Sequence, residues 1–424
     1  MKSLLRLLPA LAGLLPARAA LPSWVDPDTG HRVVQLSADP SVESLYFTQY
    51  AFTAGGSKMV MTVPRTGNID VVTLATGENE HVYTEGRARV VQTGRKTGAI
   101  YYVKGGYLYA LDPATKQSRQ LVKVPDNGGI AAINCDETLA AGTITLNDHI
   151  SKDSIRRKEG AAPKILPGGI EQGDIPSQVD KHAMMDRRLA ARLPCSLFTI
   201  DLRTGAVKIL VQGTDWLNHQ QFSPTDPGLL IYAHEGRQWK VDRVWLIRAD
   251  RDGAKPMLVH QRTMRMEIAV HEFWSNDGQW VWYDLQTPLS EDFWVGGYNV
   301  KDGRRVWYHL PGGLWMVHYN VSPDGTLFSG DGSDPQIHYA QSKDAKWMFL
   351  LRPELIPDQP GETPDQAHMI QAGRFVPEKL VNLAKHDYSL EPNGMFSPDG
   401  KWVIFRSNFR GPIGVFAVEV AKAK

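Results

Sequence analysis

Phe396-Ser-Pro-Asp-Gly400 runs into the apolar stretch Lys-Trp-Val-Ile-Phe, and Val321-Ser-Pro-Asp-Gly325 runs into Thr-Leu-Phe-Ser-Gly. Pro and Asp favour the bend of a tight turn, and Gly accepts the left-handed backbone that closes it. Each stretch therefore reads as two strands joined by a turn. Trp274-Ser-Asn-Asp-Gly278 repeats the pattern ahead of Gln-Trp-Val-Trp-Tyr, and Phe222-Ser-Pro-Thr-Asp226 repeats it ahead of Leu-Leu-Ile-Tyr. Weaker copies at Phe52-Thr-Ala-Gly-Gly56, near residues 91–102 and at Ile133-Asn-Cys-Asp-Glu137 bring the count to seven. A variable loop then leads to a third strand and a second turn, as in Phe198-Thr-Ile-Asp-Leu-Arg-Thr-Gly205, and a fourth strand follows. Short strands with turn signals at this spacing form antiparallel four-stranded sheets. Seven in a row predict an all-β chain folded as a seven-bladed β-propeller.

Three places depart from the repeat. The seventh copy runs out after its third strand, residues 414–420, so His31-Arg-Val-Val-Gln-Leu36 is expected to supply the missing outer strand and close the ring. An insertion at residues 149–192 interrupts the third blade, and its stretch 181–192 is expected to form a short basic helix. A second insertion, residues 353–374 in the sixth blade, is rich in Pro and polar residues and is expected to be loop. Residues 21–424 are read as a single domain.

Composition narrows the function classes. Among 424 residues, 47 are basic and 46 acidic, a net charge of +1, which argues against a nucleic-acid binder with a basic face. Apolar residues make up 42%, enough for a packed core. No apolar run is long enough to span a membrane as a helix in the mature chain. The two cysteines, Cys135 and Cys195, exclude a thiolate zinc site, and whether they pair stays open. At the N-terminus Lys2 and Arg6 precede a Leu-rich stretch over residues 7–15, and Ala17-Arg18-Ala19 gives a cleavage pattern. Residues 1–20 are read as a signal peptide that sends the protein to a periplasm or out of the cell. No Cys follows that would carry a lipid.

In a propeller, the residues just ahead of each turn motif ring one mouth of the central channel. Three positions before the turn residue stand Gln49, His219, His271, His318 and Asn393. Loops expected at the same mouth add His234-Glu-Gly-Arg237, Arg243, Asp331, Asp334 and Arg406, and His386 and Glu391 precede Asn393. Imidazole with carboxylate and amide oxygens suits a borderline divalent ion such as Mn²⁺ better than Mg²⁺. A neutral His can act as a base near pH 7, and an Arg can hold a carboxylate by two parallel bonds. Together these parts fit removal of a proton next to a carboxylate, where a cation offsets the charge that develops. Trp239 and Trp315, near these loops, are the Trp residues best placed to stack on a sugar.

Several stretches closely resemble the oligogalacturonate lyases. They are Asn218-His-Gln-Gln-Phe-Ser-Pro-Thr-Asp226, Ala233-His-Glu-Gly236, Val241-Asp-Arg-Val-Trp245, His271-Glu-Phe-Trp274, the run from Val317 to Ser333 and Leu390-Glu-Pro-Asn-Gly-Met-Phe-Ser-Pro-Asp-Gly400. The resemblance covers most of the mature chain and is strongest from about residue 195 onward. It implies a seven-bladed propeller that cleaves short α-1,4-linked galacturonides by β-elimination, assisted by a divalent ion, typically Mn²⁺. It implies His271 as the catalytic base, Arg243 as an essential partner and His318 as a metal ligand. The family's remaining ligands form a Gln-x-x-His-x-His pattern, and here Tyr388, Glu391 and Asn393 occupy those positions. The metal set is accordingly expected as His318, Glu391 and Asn393, with His386 compensating. His219, His234 and Arg406 are assigned to the substrate. Two other readings stay open: a lyase acting on a different uronate-containing glycan, and a non-catalytic propeller that binds a protein or glycan.

Overall fold

The computed structural model describes residues 21–37, 39–53, 55–146, 165–166, 170–171, 178–358 and 369–423. The segment read as a signal peptide lies outside the described residues, as do most of the first insertion and residues 359–368 of the second.

The strands fall into seven antiparallel units: residues 43–83, 89–123, 128–213, 216–258, 268–309 and 319–382 with four strands each, and 395–422 completed by His31–Ser37 and edged by Ser23–Val25 as a fifth strand. This is the expected β-propeller. Its turn motif works through side chains as well as backbone. Ser322, Ser397 and Ser275 each donate through Oγ to the Asp two residues on, at 2.5 Å. Each Oγ also accepts the backbone N–H of the residue that opens the next strand, at 2.9–3.1 Å. Gly278, Gly325 and Gly400 follow at φ of 69°, 73° and 70°, where a Cβ would strain the turn. The divergent third copy keeps the geometry with other residues. Asn134 Oδ1 accepts from Thr138 N at 2.9 Å, and Glu137 sits at the glycine position with φ 62°.

Ring closure follows the sequence expectation. His31–Ser37 pairs antiparallel with Gly414–Lys422, with Val33 opposite Val418 and Val34 opposite Ala417. Val33 and Val418 are fully buried in the same apolar cluster, so closure is secured by core packing as well as by ladder bonds. The expected helix is also present, over Gln178–Ala191. Its Arg188 lies on the Trp216 ring at 4.3 Å, and its Asp186 pairs with Arg237 at 2.6 Å and Lys240 at 2.9 Å, fastening it to the fourth blade.

One expectation is corrected, and one open question is answered. The insertion at residues 353–374 is not simply loop. Trp347–Leu355 and Ile370–Asn382 form a long hairpin, and Arg305–His309 pairs in parallel with residues 370–374. That pairing joins the fifth and sixth blades into one eight-stranded sheet. The Pro-rich composition obscured the alternation around Phe375, whose buried ring joins the main core. The cysteines are both free thiols, with Cys195 buried.

Candidate active site

His219 and His271 occupy equivalent kinks. Each lies in a first strand where the register slips, between Asn218 and Gln221 and between Val270 and Phe273. Their φ values are 49° and 52°, and Asn393 reaches 52° in the seventh blade. A non-glycine residue in this region is strained, and a bulge there re-aims one side chain relative to the rest of the strand. The repeat thus turns these three side chains inward by one device. Gln49 does not join them. Its Nε2 donates to the Val91 carbonyl at 2.7 Å and its Oε1 accepts from Tyr46 N at 3.0 Å, so its amide is spent joining two blades.

One wall of the mouth is a chain of charges. His219 Nε2 lies 2.8 Å from Glu235 Oε1, Glu235 Oε2 lies 3.0 Å from Arg243 Nη1, and Arg243 Nε donates to Glu272 Oε2 at 2.9 Å. Arg243 is 6% exposed, Glu235 5% and Glu272 1%. Burial opposes the guanidinium charge, and the two carboxylates more than offset it, holding Arg243 above its ordinary pKa. Its Nε is taken by Glu272 and its Nη1 by Glu235, so Nη2 is the corner left to face a substrate carboxylate.

The second wall places His271 beside buried Asp284. Nδ1 of the imidazole is 3.7 Å from Asp284 Oδ2, and that oxygen accepts the indole N–H of Trp315 at 2.9 Å. Burial pushes the Asp284 carboxyl up to about 8. Trp315 is 3% exposed and packs in the core. That corrects its expected role: it supports Asp284 and has no face for a sugar. Trp239 stays partly accessible, beneath the Arg237 guanidinium at 5.0 Å.

His318 faces His271 across 5.1 Å between ring centroids. Asp331 fixes it twice, accepting its backbone N–H at 2.7 Å and its Nδ1–H at 2.9 Å, and takes the Asn393 N–H at 3.1 Å. Nε2 is thereby presented toward Glu391, 3.8 Å from Oε2. The Asn393 Oδ1 is buried and accepts no hydrogen bond among the described residues. An imidazole nitrogen, a carboxylate and an orphaned amide oxygen make a donor set that fits a divalent ion. Among the described residues no three His, Cys, Asp or Glu gather where they could hold a metal ion, so the amide oxygen of Asn393 is needed to complete the set.

His386 is corrected. Its Nε2 donates to the Leu390 carbonyl at 2.7 Å and its Nδ1 accepts from the Ser407 hydroxyl at 2.8 Å, so neither ring nitrogen is left for a metal. Burial lowers its pKa to about 4. It shapes the turn that carries Glu391. Arg406 is likewise occupied, with Nε on the Glu391 carbonyl at 2.7 Å and Nη1 against Glu43, bracing the last blade to the first. His234 stands apart: its nearest acidic partner is Asp215 at 3.6 Å, and burial lowers its pKa.

Two residues without a sequence signal complete the mouth. The half-buried Tyr46 ring lies 5.3 Å from His318 and 6.1 Å from His219, and its hydroxyl feels Glu391, Arg243, Glu272 and Glu235. His338 comes from the long loop of the sixth blade and lies under the influence of Asp331 and Glu391. Neither occupies a repeat position, which is the only register that exposed the others.

The comparisons with known proteins agree with one another. The family model described as oligogalacturonate lyase matches residues 164–423. An oligogalacturonide lyase of Pectobacterium atrosepticum is 24% identical over 417 residues, covering 94% of this chain and 95% of the relative. An oligogalacturonate lyase of Dickeya dadantii is 23% identical over 418 residues, with the same coverage. A solved oligogalacturonate lyase in complex with manganese superposes with a TM-score of 0.71 at 22% identity, covering 95% of this chain and 96% of that one. One from Vibrio parahaemolyticus gives 0.71 at 21% identity, covering 95% and 98%.

Proposed function

The chain belongs to the oligogalacturonate lyase family, and we propose that it cleaves short α-1,4-linked galacturonides by β-elimination at the histidine-lined mouth. The observation that carries this is His271. A strained kink turns its imidazole inward, a buried carboxyl stands behind Nδ1, and His318 stands across from it. With Nδ1 toward Asp284, Nε2 is the nitrogen that takes the C5 proton of the uronate. The bond from C4 to the bridging oxygen then breaks, the double bond forms between C4 and C5, and the departing oxygen takes a proton from solvent to become the hydroxyl of the released sugar.

Arg243 supports the reaction from the adjacent blade. Its Nη2 meets the substrate carboxylate while Glu235, on Nη1, and Glu272, on Nε, hold the guanidinium in place, so no reorganisation is needed as charge builds. His318, Glu391 and Asn393 would hold the divalent ion, and Mn²⁺ is proposed from their donor chemistry and from the manganese in a solved relative. When bound, that ion supplies Lewis-acid charge that offsets the developing enediolate. His219 lies on the same rim for substrate contact, and His234 and Arg406 are reassigned to support. Export is part of the proposal and rests on Lys2, Arg6 and the Ala17-Arg18-Ala19 pattern. Residues 21–424 are proposed to act as one domain.

A second reading changes only the sugar. Tyr388, Glu391 and Asn393 stand where the family has a Gln and two His, a departure that bears on the metal first and, through it, on which uronate is accepted. Purified protein given oligogalacturonate should yield an unsaturated uronate, seen by its ultraviolet absorbance. Chelation should abolish the signal, and Mn²⁺ should restore it better than Mg²⁺. Product from a glucuronate-containing glycan alone would select the second reading. No product from either, with metal supplied, would leave the non-catalytic propeller.

A further inference from the structure

The channel does not end at the histidines. A cavity of about 440 Å³ continues from His219, which is part of its lining, toward the turn ends of the first strands; its volume is within the usual range for a small-molecule site. Tyr46, Phe47 and Phe273 are part of its lining, and the Phe47 ring also packs against His318 at 4.6 Å. The turn residues Ser223, Ser275 and Ser397 surround it where the first strands end.

Its charge is one-sided. Arg89 and Arg95 line it, and no Asp or Glu does. Arg89 gives one N–H to the Ile130 carbonyl at 2.8 Å. The Arg95 guanidinium lies over the Tyr50 ring at 4.1 Å, an arrangement that covers one face and leaves its N–H edges open. Among the described residues, no carboxylate pairs with either guanidinium. Desolvation lowers both pKa values; no carboxylate opposes it, and at Arg95 only Tyr50 and Cys135 offset it in part. Arg95 is solvent-exposed and is part of the chamber's lining. Three of the chamber's four glutamines, Gln49, Gln92 and Gln221, donate to the backbone carbonyls of Val91, Ile133 and Glu272, and the Gln220 Nε2 has no hydrogen-bond partner among the described residues. A concave site of one sign with low-dielectric walls concentrates ions of the other sign.

We propose that this lower chamber is a second binding site, for a small carboxylate the size of a single uronic acid, with Arg95 as its anchor. Planar guanidinium and planar carboxylate match by two parallel bonds, which a neutral sugar cannot make. Naming the carboxylate as a uronate rests on the lyase reading above; the charge argument does not.

The test is calorimetric titration of the full chain with D-galacturonate, D-galactose and inorganic phosphate. Arg243→Lys, which weakens the upper mouth, should leave galacturonate binding in the chamber intact. Arg95→Gln should weaken that binding about tenfold or more, the loss expected for a charge-assisted pair. Arg95→Lys, which keeps the charge and loses the matched geometry, should fall between. Initial turnover of Arg95→Gln should equal that of the wild type. The site is overturned if Arg95→Gln binds galacturonate as wild type does, or if galactose binds equally well. Phosphate binding as tightly as galacturonate would mean an unselective anion site and would overturn the uronate assignment. The two readings fail separately: a chain that makes no unsaturated product but binds galacturonate through Arg95 loses the lyase reading alone.

Discussion

The two ends of the channel are built from the same seven first strands and carry opposite chemistry. At the upper mouth every inward histidine of the repeat has a carboxyl behind it: Glu235 for His219, Asp284 for His271 and Asp331 for His318. In the lower chamber no carboxyl lines the wall, and the amides of Gln49, Gln92 and Gln221 are tied to the backbone of the neighbouring blade. The strained kink separates the two regimes. Above it, side chains leave the strand pattern and can serve chemistry. Below it, they follow the pattern and bind blade to blade. Proton-transfer groups and anion-attracting groups thus occupy one passage without neutralising each other.

The sharpest way to break this comparison is at His271. His271→Ala should lower kcat roughly 10²–10⁴-fold, the usual contribution of a general base, with an unchanged melting temperature. Near-normal turnover in a folded variant would remove the mouth's claim to the chemistry. Next comes Arg243. Arg243→Met leaves Glu235 and Glu272 buried without their cation, at a cost of about 3–5 kcal/mol in unfolding experiments. Arg243→Lys should fold, and should lose more kcat than substrate affinity, because the interaction it weakens is strongest in the transition state. Normal kinetics with Arg243→Lys would show that the guanidinium only braces the wall.

The smallest effect sharpens the contrast through pH. His386 has a folded pKa of about 4 against an ordinary 6.5. Above pH 6.5 it is neutral in both folded and unfolded chains and stability is fully present. As pH falls from 6.5 toward 4, only the unfolded chain gains the proton, and stability drops by about 3 kcal/mol. Denaturant titrations across this window should show that loss, and His386→Gln should flatten it. An equally steep loss in His386→Gln would place the acid sensitivity elsewhere.

What could be read in the sequence was whatever the repeat puts in register. The Ser-Pro-Asp-Gly turns, the closing strand at His31–Ser37 and the shared level of His219, His271 and Asn393 all follow from one motif repeated along the chain. Residues outside the register stayed hidden. Tyr46 stands three residues before Gln49, and His338 stands in a loop of one blade only. Hydrogen-bond partners were hidden for a different reason. Nothing in the pattern Lys385-His-Asp-Tyr-Ser-Leu390 shows that His386 spends both nitrogens on Leu390 and Ser407, because Ser407 arrives from the next strand. Asp284 was invisible because its meaning comes from His271 and Trp315, neither of which is its neighbour in sequence.

Closure by His31–Ser37 also imposes an order in time. His31 and Glu419, which bond at 2.9 Å, stand 388 residues apart in the chain. During synthesis the strand made first must wait for the strand made last, and until then the nascent ring has a seam. Along that seam Trp402–Ser407 offers open ladder groups, the kind of surface on which chains recruit one another. A chain cut short before residue 414 keeps that seam for its whole life. A ribosome that stalls in the final blade therefore releases six formed blades and one adhesive edge.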